Sequence, residues 1–229
     1  MISRLPQAEP TGWRNSKWLA LVELGIVVLM FVADSHHLVP FSKTPFLLVL
    51  AWISLRLRRL RWRDIGFFRN RSWGATLGIG IGAGLGLELF QLHVTQPLLV
   101  RLTGKQPDLS DFAALTGNIK LTLILLVLAW TLAAFGEEVV WRGYLMNRVA
   151  GLGGRGRVAW ICSLLVVNIT FGVSHSDQGL TGQIEESIAG VALGAMYLGS
   201  GSLAVPIVAH GVSDTLDFVL IYLGKYPGM

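Results

Sequence analysis

Charged residues are scarce in this chain of 229 amino acids. They make up 14% of the sequence, against roughly 25% in soluble proteins, while hydrophobic residues make up 52%. A water-soluble fold of this size needs more polar surface than this composition supplies. The 27 glycines are scattered through apolar runs without a Gly-x-y period, which excludes a collagen-like chain. The composition therefore predicts a protein that crosses a membrane several times.

Cysteine is nearly absent, because Cys162 is the only one. A single cysteine excludes an internal disulfide bond and a zinc site built on cysteines. The net charge of +5 does not indicate a nucleic-acid partner, since no soluble basic module is visible. Instead, seven arginines lie between Arg56 and Arg71, flanked by apolar runs, which is typical of a cytoplasmic loop.

Apolar runs close to the length that crosses a bilayer, about 17–25 residues, recur along the chain. They cover residues 17–39, 73–94, 119–141, 158–173, 184–199 and 203–223, with a shorter run at 45–55. We therefore expect an all-α polytopic transmembrane bundle of about six to eight spans. Most of the 19 Lys and Arg residues fall on one side of the membrane if the N-terminus is cytoplasmic, which favours that orientation.

Four glycines in the run at 73–94 are spaced four residues apart, namely Gly74, Gly78, Gly82 and Gly86. Residues with this spacing lie on one face of a helix. A stripe of small residues lets a second helix approach closely, as G-x-x-x-G stripes do in membranes. The spacing therefore predicts that this face packs against another helix.

Ionisable residues inside apolar runs are costly, and most of them here lie in the C-terminal half. In the segment E137-E138-V-V-W-R142, Glu138 and Arg142 are four residues apart on a helix, so they can neutralise each other. Glu137 is rotated about 100° away and has no such local partner. This arrangement predicts a structural role for Glu138 and a reactive, acid–base role for Glu137. The alternative is a charge cluster at the inner membrane boundary.

Two later apolar segments each contain a histidine. In F171-G-V-S-H175, Phe171 and His175 share a face, although a histidine at the end of an apolar helix is often only interfacial. In H210-G-V-S-D214, the carboxylate four residues on can fix the tautomer of the imidazole and raise its basicity. The alternative for this pair is a polar contact that holds two helices together.

In this order, the motifs EExxxR, FxxxH and HxxxD resemble the CPBP family of intramembrane proteases (CAAX-protease and bacteriocin-processing, also called Abi). The resemblance covers roughly residues 131–220. It implies hydrolysis of peptide bonds within the bilayer, with Glu137 and His175 activating a water molecule. It also implies that His210 and its partner four residues on stabilise the oxyanion, while Glu138 and Arg142 support the site.

One residue departs from the family pattern. The type II CAAX endopeptidases have an asparagine where this chain has Asp214. An ionised aspartate cannot donate a hydrogen bond to an oxyanion. It could instead be protonated, orient His210, or bind a metal. Glu137, His175, His210 and Asp214 would make a nitrogen and oxygen ligand set for zinc, but no HExxH motif is present, so metal dependence stays open.

We therefore predict a multi-pass integral membrane protein, in the cell membrane if the host is bacterial, whose last four spans enclose a polar pocket. Residues 1–115 would form N-terminal transmembrane helices and a basic cytoplasmic loop, and residues 116–229 a catalytic core. The expected partners are membrane lipids and a membrane-associated or prenylated protein or peptide substrate. The oligomeric state is left open.

Two other functions remain as alternatives. A non-catalytic scaffold or immunity protein of the same fold is favoured by Asp214. A proton-coupled transporter would also use Glu, His and Asp relays within its spans, but no repeated pair of interrupted helices is found in the two halves of the chain. Replacing Glu137 by Gln separates the three functions. An enzyme should lose proteolysis without unfolding, a transporter should lose proton-dependent flux, and a scaffold should be unaffected.

Overall fold

The structure, a computed structural model, describes residues 12–67 and 72–228, and all regular secondary structure within these ranges is helical, which confirms the prediction of an all-α fold. Arg4, Arg69 and Arg71, which the sequence places on the cytoplasmic side, lie outside the described residues. The main helices are α1 (Lys17–Ser35), α2 (Thr44–Leu57), α3 (Trp73–Thr103), α4 (Ile119–Leu152), α5 (Arg157–Val173), α6 (Gly179–Ser200) and α7 (Ala204–Tyr222).

Several helix ends are fixed by local sequence. The side chains of Ser16, Ser72 and Asn118 accept hydrogen bonds from backbone N–H groups in the first turns of α1, α3 and α4. Such caps satisfy donors that would otherwise have no partner at a helix start. At the other end, α6 stops at Gly201, whose positive φ of 68° suits glycine. These boundaries follow directly from residue type.

Four helices in the described ranges are long and apolar enough to cross a membrane, namely α1, α3, α4 and α7. Helices α5 and α6 pass the same test only together, and they are bent by 62° at the short break between them. Helix α2 is apolar but has only 14 residues. The structure thus supports a multi-pass protein with four or five candidate spans, fewer than the sequence predicts, because the shorter apolar runs do not form full-length helices.

Helix α4 lies at the centre of the bundle. All residues from Glu138 to Arg148 are buried, so this part of the helix is covered on every side. By contrast, the outer faces of α1, α3 and α5 expose large apolar side chains such as Val22, Ile79 and Val166. A polar centre with an apolar exterior is the arrangement expected of a bundle in lipid.

The prediction that the α3 glycine stripe of Gly74, Gly78, Gly82 and Gly86 packs against another helix is wrong. Gly78, Gly82 and Gly86 have no neighbouring atom within 4 Å of an added Cβ, and Gly74 meets only the side chain of Ser72. The helix instead packs on α7 through Gly80 and Gly84, which alternate with the predicted set. Because glycine occurs at nearly every second position, spacing alone could not choose between the two faces.

We expect Gly84→Leu to destabilise the protein by about 1–3 kcal/mol, the usual effect of overpacking. A side chain at this position would collide with the carbonyl of Ala209 and with Val212 on α7. Gly82→Leu is the matched control, because it lies on the open face of the same helix. The measurement is denaturant unfolding in detergent, and equal losses in the two variants would contradict the observed packing face.

Three charged residues from different helices form a buried ionic cluster beneath the basic loop. Both Arg58, which directly follows α2, and Arg148 of α4 pair with Glu23 of α1, at 3.1 and 3.2 Å. Each of the three residues is only 3% exposed. Arg58 and Arg148 are therefore not the solvated boundary residues that their sequence positions indicate. They tie the N-terminal helices to the central helix.

Candidate active site

The first motif lies in a stretch of α4, Ala129–Leu145, that is wound as a π-helix, a form often found at functional sites. Arg142 Nη1 donates to Glu138 Oε1 at 2.6 Å, and neither side chain is exposed to solvent. The predicted pairing of these two residues is thus present in the structure. It leaves Arg142 with further donors for the neighbouring helices.

Arg142 connects three helices. Its Nη2 donates to the carbonyl of Gly190 on α6 at 3.1 Å, and its guanidinium lies 4.5 Å from the centre of the Phe171 ring on α5. A Cβ at position 190 would come within 3.2 Å of Arg142 Nη2 and 3.0 Å of the Phe171 ring. Glycine at this position therefore allows the guanidinium to reach the backbone of α6.

His210 of α7 lies between two carboxylates. Its Nδ1 is 3.0 Å from Glu138 Oε1, and its Nε2 is 3.4 Å from Asp214 Oδ1. The contact with Asp214 is expected from the spacing of four residues. The contact with Glu138 joins two residues that are 72 positions apart in the sequence, so neither motif alone could predict it. Glu138 therefore supports both Arg142 and His210.

His175 follows the end of α5, in the turn that leads to α6. Its Nδ1 lies 2.9 Å from the carbonyl oxygen of Phe171, so in the neutral ring Nδ1 carries the proton and Nε2 remains an acceptor. The ring of Phe171 stands edge-on to both imidazoles, at 4.7 Å from His175 and 6.4 Å from His210. One aromatic side chain thus positions both histidines.

Glu137 faces a cavity of about 350 Å³ together with His175, His210 and Asp214. It is half-buried and interacts electrostatically with both imidazoles. Within the described residues it forms no hydrogen bond and no ion pair, in contrast to the neighbouring Glu138. The four residues that the sequence nominates therefore line one cavity, with Glu138 and Arg142 buried behind them.

The cavity contains acidic residues that sequence reasoning did not nominate. Asp177, Glu185, Glu186 and Asp217 also line it. Glu185 and Glu186 lie at the very start of the apolar run at 184–199, whereas α6 already begins at Gly179 and carries both acids well inside the helix. Asp217 lies seven residues after His210, and this spacing places it close to the helical stripe of His210 and Asp214 already in the sequence.

Zinc does not fit the residues as they are arranged. Across residues 12–67 and 72–228, no three His, Cys, Asp or Glu side chains converge as ligands of one metal ion. Both nitrogens of His210 face carboxylates, and Nδ1 of His175 faces a carbonyl oxygen. Among these two imidazoles, only Nε2 of His175 remains for a metal, so we assign no chemical step to one.

Comparison with known families adds one finding. Residues 119–216 match the family described as type II CAAX prenyl endopeptidase Rce1-like. The matched segment contains all three motifs, from helix α4 to Asp214 on α7. No curated protein and no solved structure matches the chain.

Proposed function

Because residues 119–216 match the Rce1-like type II CAAX prenyl endopeptidase family, we propose that this protein is an intramembrane endopeptidase. Its substrate would be a membrane-associated protein or peptide, prenylated or not. The observation that carries the proposal is the position of Glu137, an unpaired carboxylate among the described residues that faces both His175 and His210 across one cavity. A free carboxylate beside two imidazoles is suited to activating water.

The reaction would begin with a water molecule held between Glu137 and Nε2 of His175. Glu137 accepts one proton of this water while the water oxygen bonds to the carbonyl carbon of the scissile peptide. The C–N bond then breaks, and the proton passes from Glu137 to the departing nitrogen. The products are a new carboxyl terminus and a new amino terminus, so no oxidant or further reactant is needed.

His210 is the proposed donor to the oxyanion. Its Nδ1 is hydrogen-bonded to Glu138, and this contact fixes the orientation of the imidazole ring. The 3.4 Å between Nε2 and Asp214 Oδ1 is longer than a usual N–H···O bond, which leaves this N–H able to donate to a substrate oxygen. Asp214 then acts by its negative charge, which stabilises the doubly protonated imidazole that such donation requires.

This role predicts a graded response at position 214. Asp214→Asn should lower kcat by no more than about tenfold, because the amide loses the negative charge that stabilises the doubly protonated His210 but can itself donate to the oxyanion. Asp214→Ala should lower kcat by about 10- to 100-fold, as happens when the partner that orients a histidine is removed. Initial cleavage rates at saturating peptide give both values. A more active alanine than asparagine variant would contradict the role.

The function itself is tested with purified protein in liposomes and a mixed set of quenched, membrane-soluble peptides. We expect wild type to cleave some of them, and His175→Ala to be slower by about 100-fold. Asp111→Asn is the control, because this exposed carboxylate does not line the cavity. A strong chelator should leave the wild-type rate unchanged. Equal background signal from wild type and His175→Ala would contradict the proposal and favour a scaffold.

A further inference from the structure

The cavity has more carboxyl groups than the hydrolytic step requires. Besides Glu137 and Asp214, its described lining contains four more acids and no lysine or arginine. Three of these acids form what we call the acidic wall: Glu185 and Glu186 of α6 and Asp217 of α7. An apolar part of the lining comes mainly from α4, with Leu125, Leu128 and Leu132.

Nothing in the described part of the protein neutralises this wall. Glu186 makes no hydrogen bond and no ion pair there, and Glu185 receives only a long contact of 3.5 Å from the hydroxyl of Thr95. The nearest guanidinium, that of Arg142, is held by Glu138 and is completely buried. The wall is therefore a set of acceptors without a cation.

A buried carboxylate behind the wall points the same way. Glu88 of α3 is 1% exposed, and one of its oxygens accepts a hydrogen bond from Ser213 at 2.7 Å. The carboxyl of Asp217 interacts with Glu88 by a hydrogen bond, which one proton shared between the two acids supplies. Glu185, which is 5% exposed and has only the long contact with Thr95, is therefore the buried acceptor of the wall at which an incoming donor is favoured.

Tyr226, which follows the end of α7, also lines the cavity. Burial, together with the nearby Asp217 and Glu88, raises the pKa of its phenol above the usual range. The phenol is therefore a neutral group and brings no positive charge to the wall.

An organic cation fits the acidic wall better than a metal ion does. A metal requires ligands that converge on one point, and no three of these side chains do so. An ammonium or guanidinium group carries several donors and can bridge carboxylates that are further apart. Such a group on a substrate would lie against the acidic wall, while the rest of the segment contacts the apolar lining from α4.

We propose that the acidic wall selects substrates with a lysine or arginine close to the scissile bond. This inference rests on the proposed function, since it names the substrate class of that cavity. It predicts a protease for apolar segments interrupted by a basic residue. Specificity then comes from buried charge pairing. A lysine or arginine of the substrate pairs with the carboxylates of the wall, whereas a neutral side chain leaves them unpaired.

The experiment measures binding separately from cleavage. Three fluorescent peptides of equal length carry lysine, acetyl-lysine or glutamate at one position, and each is titrated into Glu137→Gln protein in nanodiscs. We expect the lysine peptide to bind about tenfold more tightly than the acetyl-lysine peptide, with the glutamate peptide weakest. In the Glu186→Gln and Asp217→Asn variants, made on the same background, the ratio should fall to about threefold or less. Asp111→Asn should keep it.

Each outcome separates the two proposals. Equal binding of lysine and acetyl-lysine peptides overturns the acidic wall as a selector, even if wild type cleaves both. An unchanged ratio in both wall variants also overturns it, because the preference would then arise elsewhere. A lysine preference that the wall variants reduce supports the inference, whatever the cleavage assay shows. Absence of cleavage by wild type counts only against the protease.

Discussion

Glu137→Gln is expected to lower kcat for peptide cleavage about a thousandfold. The glutamine keeps the size of the side chain but cannot accept a proton from water, so the step that generates the nucleophile is lost. Peptide binding should change little, because Glu137 forms no ion pair among the described residues. Single-turnover rates in liposomes, compared with the peptide affinity of the same protein, separate the two effects.

The folded state should be unaffected by this substitution. A carboxylate without a partner in the described bundle contributes no specific contact that glutamine would remove, so unfolding curves of variant and wild type should coincide. Asp111→Asn provides the matched loss of one negative charge outside the cavity. If Glu137→Gln cleaves at the wild-type rate, Glu137 is not the base and the mechanism is wrong.

Arg142→Met should have the largest effect on stability, a loss of about 3–5 kcal/mol in the free energy of unfolding. The substitution leaves Glu138 as a buried carboxylate without its cation and removes the contacts with Phe171 and the carbonyl of Gly190. Unfolding by a denaturing detergent, followed by tryptophan fluorescence, measures this loss.

The double variant Glu138→Gln/Arg142→Met tests the cause. It removes both charges together, and the glutamine oxygen can still accept the proton of His210 Nδ1. We therefore expect it to recover more than half of the lost stability, since replacing a buried pair as a unit is tolerated better than breaking it. A double variant as unstable as Arg142→Met would show that charge pairing is not what Arg142 contributes.

The parts of the site that sequence could predict are those with local spacing. Glu138 and Arg142, and likewise His210 and Asp214, are four residues apart, and a helix brings such residues together regardless of the rest of the fold. The approach of Glu138 to His210 depends instead on how α4 and α7 pack. That packing is set by many apolar contacts, so neither motif contains the information.

The fold shows the same division. Hydropathy locates every main helix, because a run of apolar residues in lipid must satisfy its backbone hydrogen bonds within the helix. Hydropathy does not predict that Glu23 pairs with two arginines or that α3 packs on α7 through Gly80 and Gly84. Nor does it predict that α6 begins early enough to place Glu185 in the cavity. These features depend on contacts between helices. The division into residues 1–115 and 116–229 and the cytoplasmic N-terminus stay predictions.

The most direct test of the central claim is product analysis by mass spectrometry after incubation in water enriched with heavy oxygen. Hydrolysis by a water held at Glu137 predicts that wild type releases two fragments, with one heavy oxygen in the new carboxyl terminus and none in the amino fragment. The Glu137→Gln protein should yield no such fragments. If wild type yields none either, or if both proteins yield the same labelled pair, the account of this cavity as a hydrolytic site is contradicted.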